Sequence, residues 1–152
     1  MYKKILVPID GSGTSMRGVT EAIRLAMHHE ARLRLIHVVD VFIVTPTLES
    51  GRYMDEIQES FREDGRRLLK RAEALVRKRG LAVDSVMFEI VGGQAAEIIV
   101  AHAKKWRADI IVIGTHGRRG LRRLVMGSDA EQVVRTSPVP VLLVRSRRSA
   151  SP

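Results

Sequence analysis

Cysteine is absent from the 152-residue chain. That excludes a disulfide framework, a thiolate metal centre and a cysteine nucleophile, and it suits a reducing compartment. Long apolar runs are missing as well. No stretch approaches the roughly 20 apolar residues that a membrane-spanning helix needs. The opening MYKKILVPID has a short apolar run that meets Pro8 and Asp10 too soon for a secretion signal. Aromatic residues are few: one tryptophan, two tyrosines and three phenylalanines. Stacking on single-stranded nucleic acid wants aromatic rings interleaved with basic residues, so specific nucleic-acid recognition is not expected. The phosphate-loop pattern GxxxxGK[ST] does not occur either, which sets aside the common P-loop NTPases. The expectation is a soluble, cytoplasmic protein with no membrane association.

Charge is unbalanced. The net charge is +9, a balance that attracts polyanions, phosphate-bearing metabolites among them. Arg118, Arg119, Arg122 and Arg123 supply four of those charges within one short stretch. Arg145, Arg147 and Arg148 belong to the C-terminal RSRRSASP. Residues 147–152 read as a disordered basic tail after a single domain spanning 1–146. The group RRLLKR reads as the solvated face of a helix.

Apolar periodicity divides the rest into alternating elements. Short runs rich in branched residues predict strands at 3–9, 32–39, 82–91, 108–114 and 139–145. Helical spacing predicts helices at 15–30, about 53–79, 94–106 and 127–136, the long one stopped by Gly80. The stretch DVFIVTPTLESGR before that long helix has no regular pattern. The run ADIIVIG is continuously apolar, as in a strand buried on both faces. Alternating strands and helices joined by right-handed crossovers imply an α/β fold. It is a five-stranded, parallel, doubly wound sheet in the order 3-2-1-4-5, with helices on both faces. The switch point then falls between the first and fourth strands, where such sheets bind ligands.

Two glycine-containing loops should meet there, PIDGSG after the first strand and GTHGRRG after the fourth. In the second loop the spacing is Gly114-x2-Gly117-x9-Gly127-Ser128. Gly117 can turn its neighbours' N–H groups inward. Gly127 and Ser128 open a helix whose free N–H groups and dipole favour an anion. Ser128 is a candidate N-cap. The same residues are also ordinary turn chemistry, so spacing alone leaves a nucleotide loop and a structural turn both open. His28 and His29 suit the carbonyl end of a helix, and His37 reads as a packed or hydrogen-bonded core residue. No spacing among the histidines makes a metal site.

The segment IVIGTHGRRGLRRLVMGSDAEQVVRTSPVPVLLVR resembles the C-terminal signature of the universal stress protein family, in its UspA-like, ATP-binding branch. KKILVPIDGS, LRLIHVVD and GGQAAEIIVAHAKKWRADIIVIG extend the resemblance over almost the whole chain. It implies a Rossmann-like domain, of the adenine nucleotide alpha hydrolase-like kind, that binds ATP at its switch point and serves as a stress-response or signalling module. Carried over residue by residue, adenine contacts fall on Pro8 and Val38. Asp10 holds the ribose or, through the nucleotide, Mg²⁺. The phosphate side falls on Gly114, Thr115, His116, Gly117, Arg118, Arg119 and Gly120, with Gly127 and Ser128 at the receiving helix.

Asp129 and Ala130 depart from the family's pattern, which often continues with valine and a hydroxyl residue. Asp129 favours its own helix start. Pointed into the site, it would repel phosphate unless a divalent cation intervened, so AMP or ADP are alternatives to ATP. Phosphoryl transfer would need a positioned base, and none stands at a diagnostic spacing. A binding module is favoured, with a slow ATPase or an adenylating enzyme of related fold as the alternative. The last strand, VPVLLVR, is a barely guarded apolar edge. The resemblance implies a homodimer paired through it, over 139–145.

Overall fold

Strands and helices alternate throughout the computed structural model, which describes residues 1–41, 50–116 and 126–145. The elements are β1 (Lys4–Pro8), α1 (Gly13–His29), β2 (Arg32–Asp40), α2 (Ser50–Arg77), β3 (Val83–Ile90), α3 (Ala95–Trp106), β4 (Ile110–Gly114), α4 (Ser128–Thr136) and β5 (Val141–Val144). All strand pairs are parallel, in the order β3-β2-β1-β4-β5. The expected sheet is therefore the observed one. Residues 147–152, expected to form a tail, lie outside the described residues, as do 42–49 of the irregular stretch before α2.

Burial on both faces explains the unbroken apolar strands. Along β1, Ile5 and Val7 face the core under α1 and α2, while Leu6 faces the core under α3 and α4. In β4, Ile110 and Val112 take the first side, and Ile111 and Ile113 the second. The helices answer with small or branched residues at helical spacing: Val19, Ala22, Ile23 and Ala26 on α1, and Ala96, Ile99 and Ala103 on α3. Period-2 strands meet 3.6-residue stripes, and the dry layers between them hold the sheet.

α2 begins at Ser50, earlier than its periodicity predicts. At 28 residues it is about 42 Å long, well beyond the reach of the strands it covers. Arg62 bonds Glu89 near the end of β3, at 2.6 Å, so the turns before Arg62 rise past the carboxyl edge of the sheet. Gly65 permits a close crossing lower down: a Cβ there would sit 2.7 Å from His37 Cδ2 and 3.0 Å from Met87 Sδ. His37 is buried, with Nδ1 2.8 Å from the Ile9 carbonyl, as its place in an apolar strand predicts.

Candidate functional site

At the switch point the ends of β1 and β4 lie side by side. The β1 exit is a self-bonded turn. The Ser12 N–H donates to Asp10 Oδ1 at 2.8 Å, and the Asp10 N–H donates to Ser15 Oγ at 3.4 Å. Gly11 between them takes φ +85°, the left-handed region that favours glycine. Ser12 then caps α1 by accepting the Ser15 N–H at 3.2 Å, which satisfies one of the free donors at the helix start.

β4 runs directly into this helix start. A Cβ on Gly114 would lie 2.9 Å from the Thr14 carbonyl carbon and 3.0 Å from the Ser15 nitrogen. These are backbone atoms and cannot swing aside, so the approach requires glycine. The next residues bind three elements together. Thr14 Oγ1 donates to the His116 carbonyl at 2.6 Å, with Ser12 Oγ 3.4 Å from the same oxygen. The Thr115 N–H donates to Val144 at the end of β5, at 2.9 Å, and the Thr115 carbonyl accepts the Gly127 N–H at 2.7 Å. The starts of α1 and α4, each carrying partial positive charge, thus converge on Thr115 and His116. Sequence reading placed Gly114, Thr115 and His116 correctly against the β1 exit. It passed over Ser12 and Thr14, whose signal was the run of hydroxyls in DGSGTS.

Gly127, not Ser128, is the N-cap of α4. Its N–H is held by Thr115 and its carbonyl accepts the Glu131 N–H at 2.9 Å. The cap is made by main chain pinned at both ends, and Ser128 becomes the first helical residue, exposed to solvent. Asp129 Oδ1 accepts the Ala96 N–H at 3.3 Å. Its carboxylate serves the start of α3, where Gln94 gives no side-chain cap. Asp129 and Glu131 still place negative charge in the first turn of α4, whereas the first turn of α1 has none.

Pro8 ends β1, and half-buried Val38 packs with the α3/α4 side of the core. Both lie on the two strands that border the switch point from the β2 side. Gly117, Arg118, Arg119 and Gly120, together with Arg122 and Arg123, lie outside the described residues. A cavity of about 530 Å³ opens beside Gly11, lined by Asp64, Arg67, Leu68, Lys70 and Arg71 of α2. The charged residues of RRLLKR are exposed, as expected, and Arg67, Lys70 and Arg71 line this cavity.

Among the described residues no group of three or more His, Cys, Asp or Glu could hold a metal ion. Asp10 is a single carboxylate at the crevice. It fits Mg²⁺ only where a ligand's own phosphate oxygens and water complete the octahedron. Shifted ionisations are found elsewhere. On the α3 side, the hydrogen bond to Asp84 raises Arg34, and the same bond lowers Asp84. Burial, and then the Arg34 and Lys105 charges, lower the pKa of His102.

The sequence profile of the universal stress protein family matches residues 1–145. The chain belongs to the universal stress protein family. A Methanocaldococcus jannaschii relative, universal stress protein MJ0531, is 37% identical over 147 residues, 95% of this chain and 83% of its own. Among solved structures, the universal stress protein UspA from Lactobacillus plantarum superposes with a TM-score of 0.82 at 25% identity, covering 95% of this chain and 98% of its own. A universal stress protein solved in complex with cAMP has a TM-score of 0.67 at 26% identity, covering 96% and 99%. Universal stress proteins of this fold thus include one solved with cAMP bound. No helix among the described residues of this chain is long and apolar enough to cross a membrane.

Proposed function

We propose that this universal stress protein binds an adenine nucleotide, ATP or its ADP and AMP products, in the crevice between β1 and β4, and works as a cytoplasmic stress-response or signalling module. The observation that carries the reading is the convergence of two helix starts on residues 114–116, with Gly114 pressed against the α1 backbone. Free N–H groups and helix dipoles at such a place favour phosphate, and the cAMP complex of a relative supports the adenine. In this reading Pro8 and Val38 border the adenine, and Asp10 holds the ribose or a nucleotide-bound Mg²⁺. Gly114, Thr115, His116, Gly117, Arg118, Arg119 and Gly120 form the phosphate side, with Gly127 and Ser128 at the helix start. Asp129 stays on the α3 start and tempers phosphate affinity through its charge. Binding is favoured over turnover, and β5 pairs two copies into a homodimer.

The test is direct. Freshly purified protein is denatured, and released small molecules are identified by chromatography and mass. Near-stoichiometric ATP, ADP or AMP is expected. Protein that releases none, and that binds none of the three with Mg²⁺ present, overturns the reading. A turnover assay on the same preparation, with Asp10→Ala and Gly117→Val as controls, separates a binder from a slow ATPase.

A further inference from the structure

Most cations along the middle of α2 are matched by an acid on the same helix, and two are not. Arg62, Arg66 and Arg67 pair with Glu59, Glu63 and Asp64, each three residues earlier, and Arg77 pairs with Glu73, four residues earlier. Pairs at these spacings balance the charge of a solvated helix. Lys70 and Arg71 have no such acid. The residues four positions before them are Arg66 and Arg67, like charges that repel them, and Glu73 is taken by Arg77. Neither Lys70 nor Arg71 has a salt bridge among the described residues.

These two cations meet at the cavity beside Gly11. It measures about 530 Å³, and Arg67, Asp64 and Leu68 line it with them. Small-molecule sites fall in this range, about 300–1,000 Å³. Three cations against one carboxylate leave the lining with an excess of positive charge. Asp64 is already engaged by Arg67 Nη2 at 2.6 Å, so the free groups are one ammonium and one guanidinium fork. Buried Leu68 adds an apolar wall. The cavity stands apart from the nucleotide contacts proposed above, none of which lines it. Leu68 packs with the core under α1 and α2, whereas Val38 packs on the opposite face of the sheet.

A phosphate monoester matches this lining. It carries about −1.5 to −2 charge at pH 7 and three strong acceptor oxygens. A guanidinium fork can bond two such oxygens at once, while a lysine ammonium serves as a point charge. We propose that the cavity is a second anion site, in which Arg71 and Lys70 hold the phosphate of a small phosphate monoester and Leu68 borders its carbon portion. Arg67 is shared with Asp64, which opposes the ligand. The site does not depend on the nucleotide reading of the β1/β4 crevice.

Titration of the full-length protein with glycerol phosphate, followed by ¹⁵N NMR, tests it. The N–H signals of Gly11, Leu68 and Arg71 are expected to shift, and those of Gly114 and Gly127 to stay in place. Arg71→Gln weakens binding by about threefold to fivefold, the worth of a good ion pair at an exposed site. Lys78→Gln removes the same charge just beyond α2 and changes affinity by less than about twofold. Asp64→Asn removes the opposing charge and strengthens binding, whereas Glu63→Gln, the same charge change beside Arg66, does not. All four positions are exposed, and thermal melts verify that the variants fold. Equal losses in Arg71→Gln and Lys78→Gln would reduce the site to the diffuse field of a basic protein and overturn it. Shifts at Gly114 and Gly127 in place of Gly11 overturn it by sending the ester to the β1/β4 crevice, and so does the absence of any shift. Inorganic phosphate that binds as tightly as glycerol phosphate overturns the ester in favour of the free ion.

Discussion

Gly114 and Asp129 show how single residues set this crevice. Gly114 lets β4 run into the first turn of α1, and any side chain there meets the Thr14 and Ser15 backbone. Gly114→Ala is therefore expected to destabilise the fold by about 1–3 kcal/mol, the usual penalty of overpacking against atoms that cannot move. Gly13→Ala is the control, since a Cβ there has nothing within 4 Å and alanine costs less entropy to order. Urea unfolding of both variants checks the pair; similar midpoints would show that the close approach carries no strain. Asp129 lies in the first turn of α4, and its carboxylate is engaged by the Ala96 N–H. That contact serves the start of a neighbouring helix, α3. Gly114 was legible, since a glycine closing a buried strand marks a tight exit. The partner of Asp129 was not, because Ala96 is remote in sequence and only packing of α3 on α4 brings them together.

Between elements, the α3 side of the sheet holds a polar cluster whose members come from β2, β3 and α3. Arg34 donates from Nε and Nη2 to both Asp84 oxygens, at 2.6 and 2.7 Å. Its guanidinium lies 4.7 Å from the Trp106 ring centroid, and Nη1 is 3.4 Å from His102 Nε2. Arginine can only donate, so His102 is held neutral. Burial is the larger cause of its lowered pKa, followed by the Arg34 and Lys105 charges, against a smaller opposing pull from Asp84. The unfolded chain binds a proton near the ordinary histidine value of about 6.5, while the folded chain resists it to lower pH. Stability should therefore rise with pH between the lowered folded value and about 6.5, and be lost as pH falls through that window. Urea midpoints at pH 7.5, 6.5 and 5.5 (working values chosen to bracket about 6.5) should decline, and His102→Leu should flatten the decline. An unchanged slope in that variant would assign the pH dependence to other groups. Helix and strand positions were readable here, because each element carries its own period. Arg34, Asp84 and His102 gave no sign in the sequence that they meet.

For the whole molecule the exposed apolar edge is β5. This strand is the sheet's edge, and Leu142 on it is 40% exposed. An apolar edge with unpaired backbone groups pairs with another chain unless it is guarded, which supports the homodimer proposed through 139–145. Light scattering at micromolar concentration should report a dimer, and Leu142→Lys should shift it to monomer with its helical signal intact. A wild-type monomer would sink the proposal. β3, the opposite edge, is guarded: Asp84 and Glu89 project from it into pairs with Arg34 and Arg62.

The sequence by itself determined the alternation of elements, the parallel sheet and the place of its switch point. Each follows from local periodicity and from the handedness of crossovers, which need no knowledge of distant contacts. It also marked Gly114 and Asp10 at the two strand exits beside the switch point, because turns write their demands into nearby residues. Only the tertiary structure decided which groups meet across the crevice: Thr14 with the His116 carbonyl, Gly127 with Thr115, and Asp129 with Ala96. These are hydrogen bonds between residues remote in sequence. Their geometry depends on how far one backbone slides past another, within limits set by packed side chains. The stretch after β4 thereby gained an anchor on α1 and a main-chain cap at Gly127.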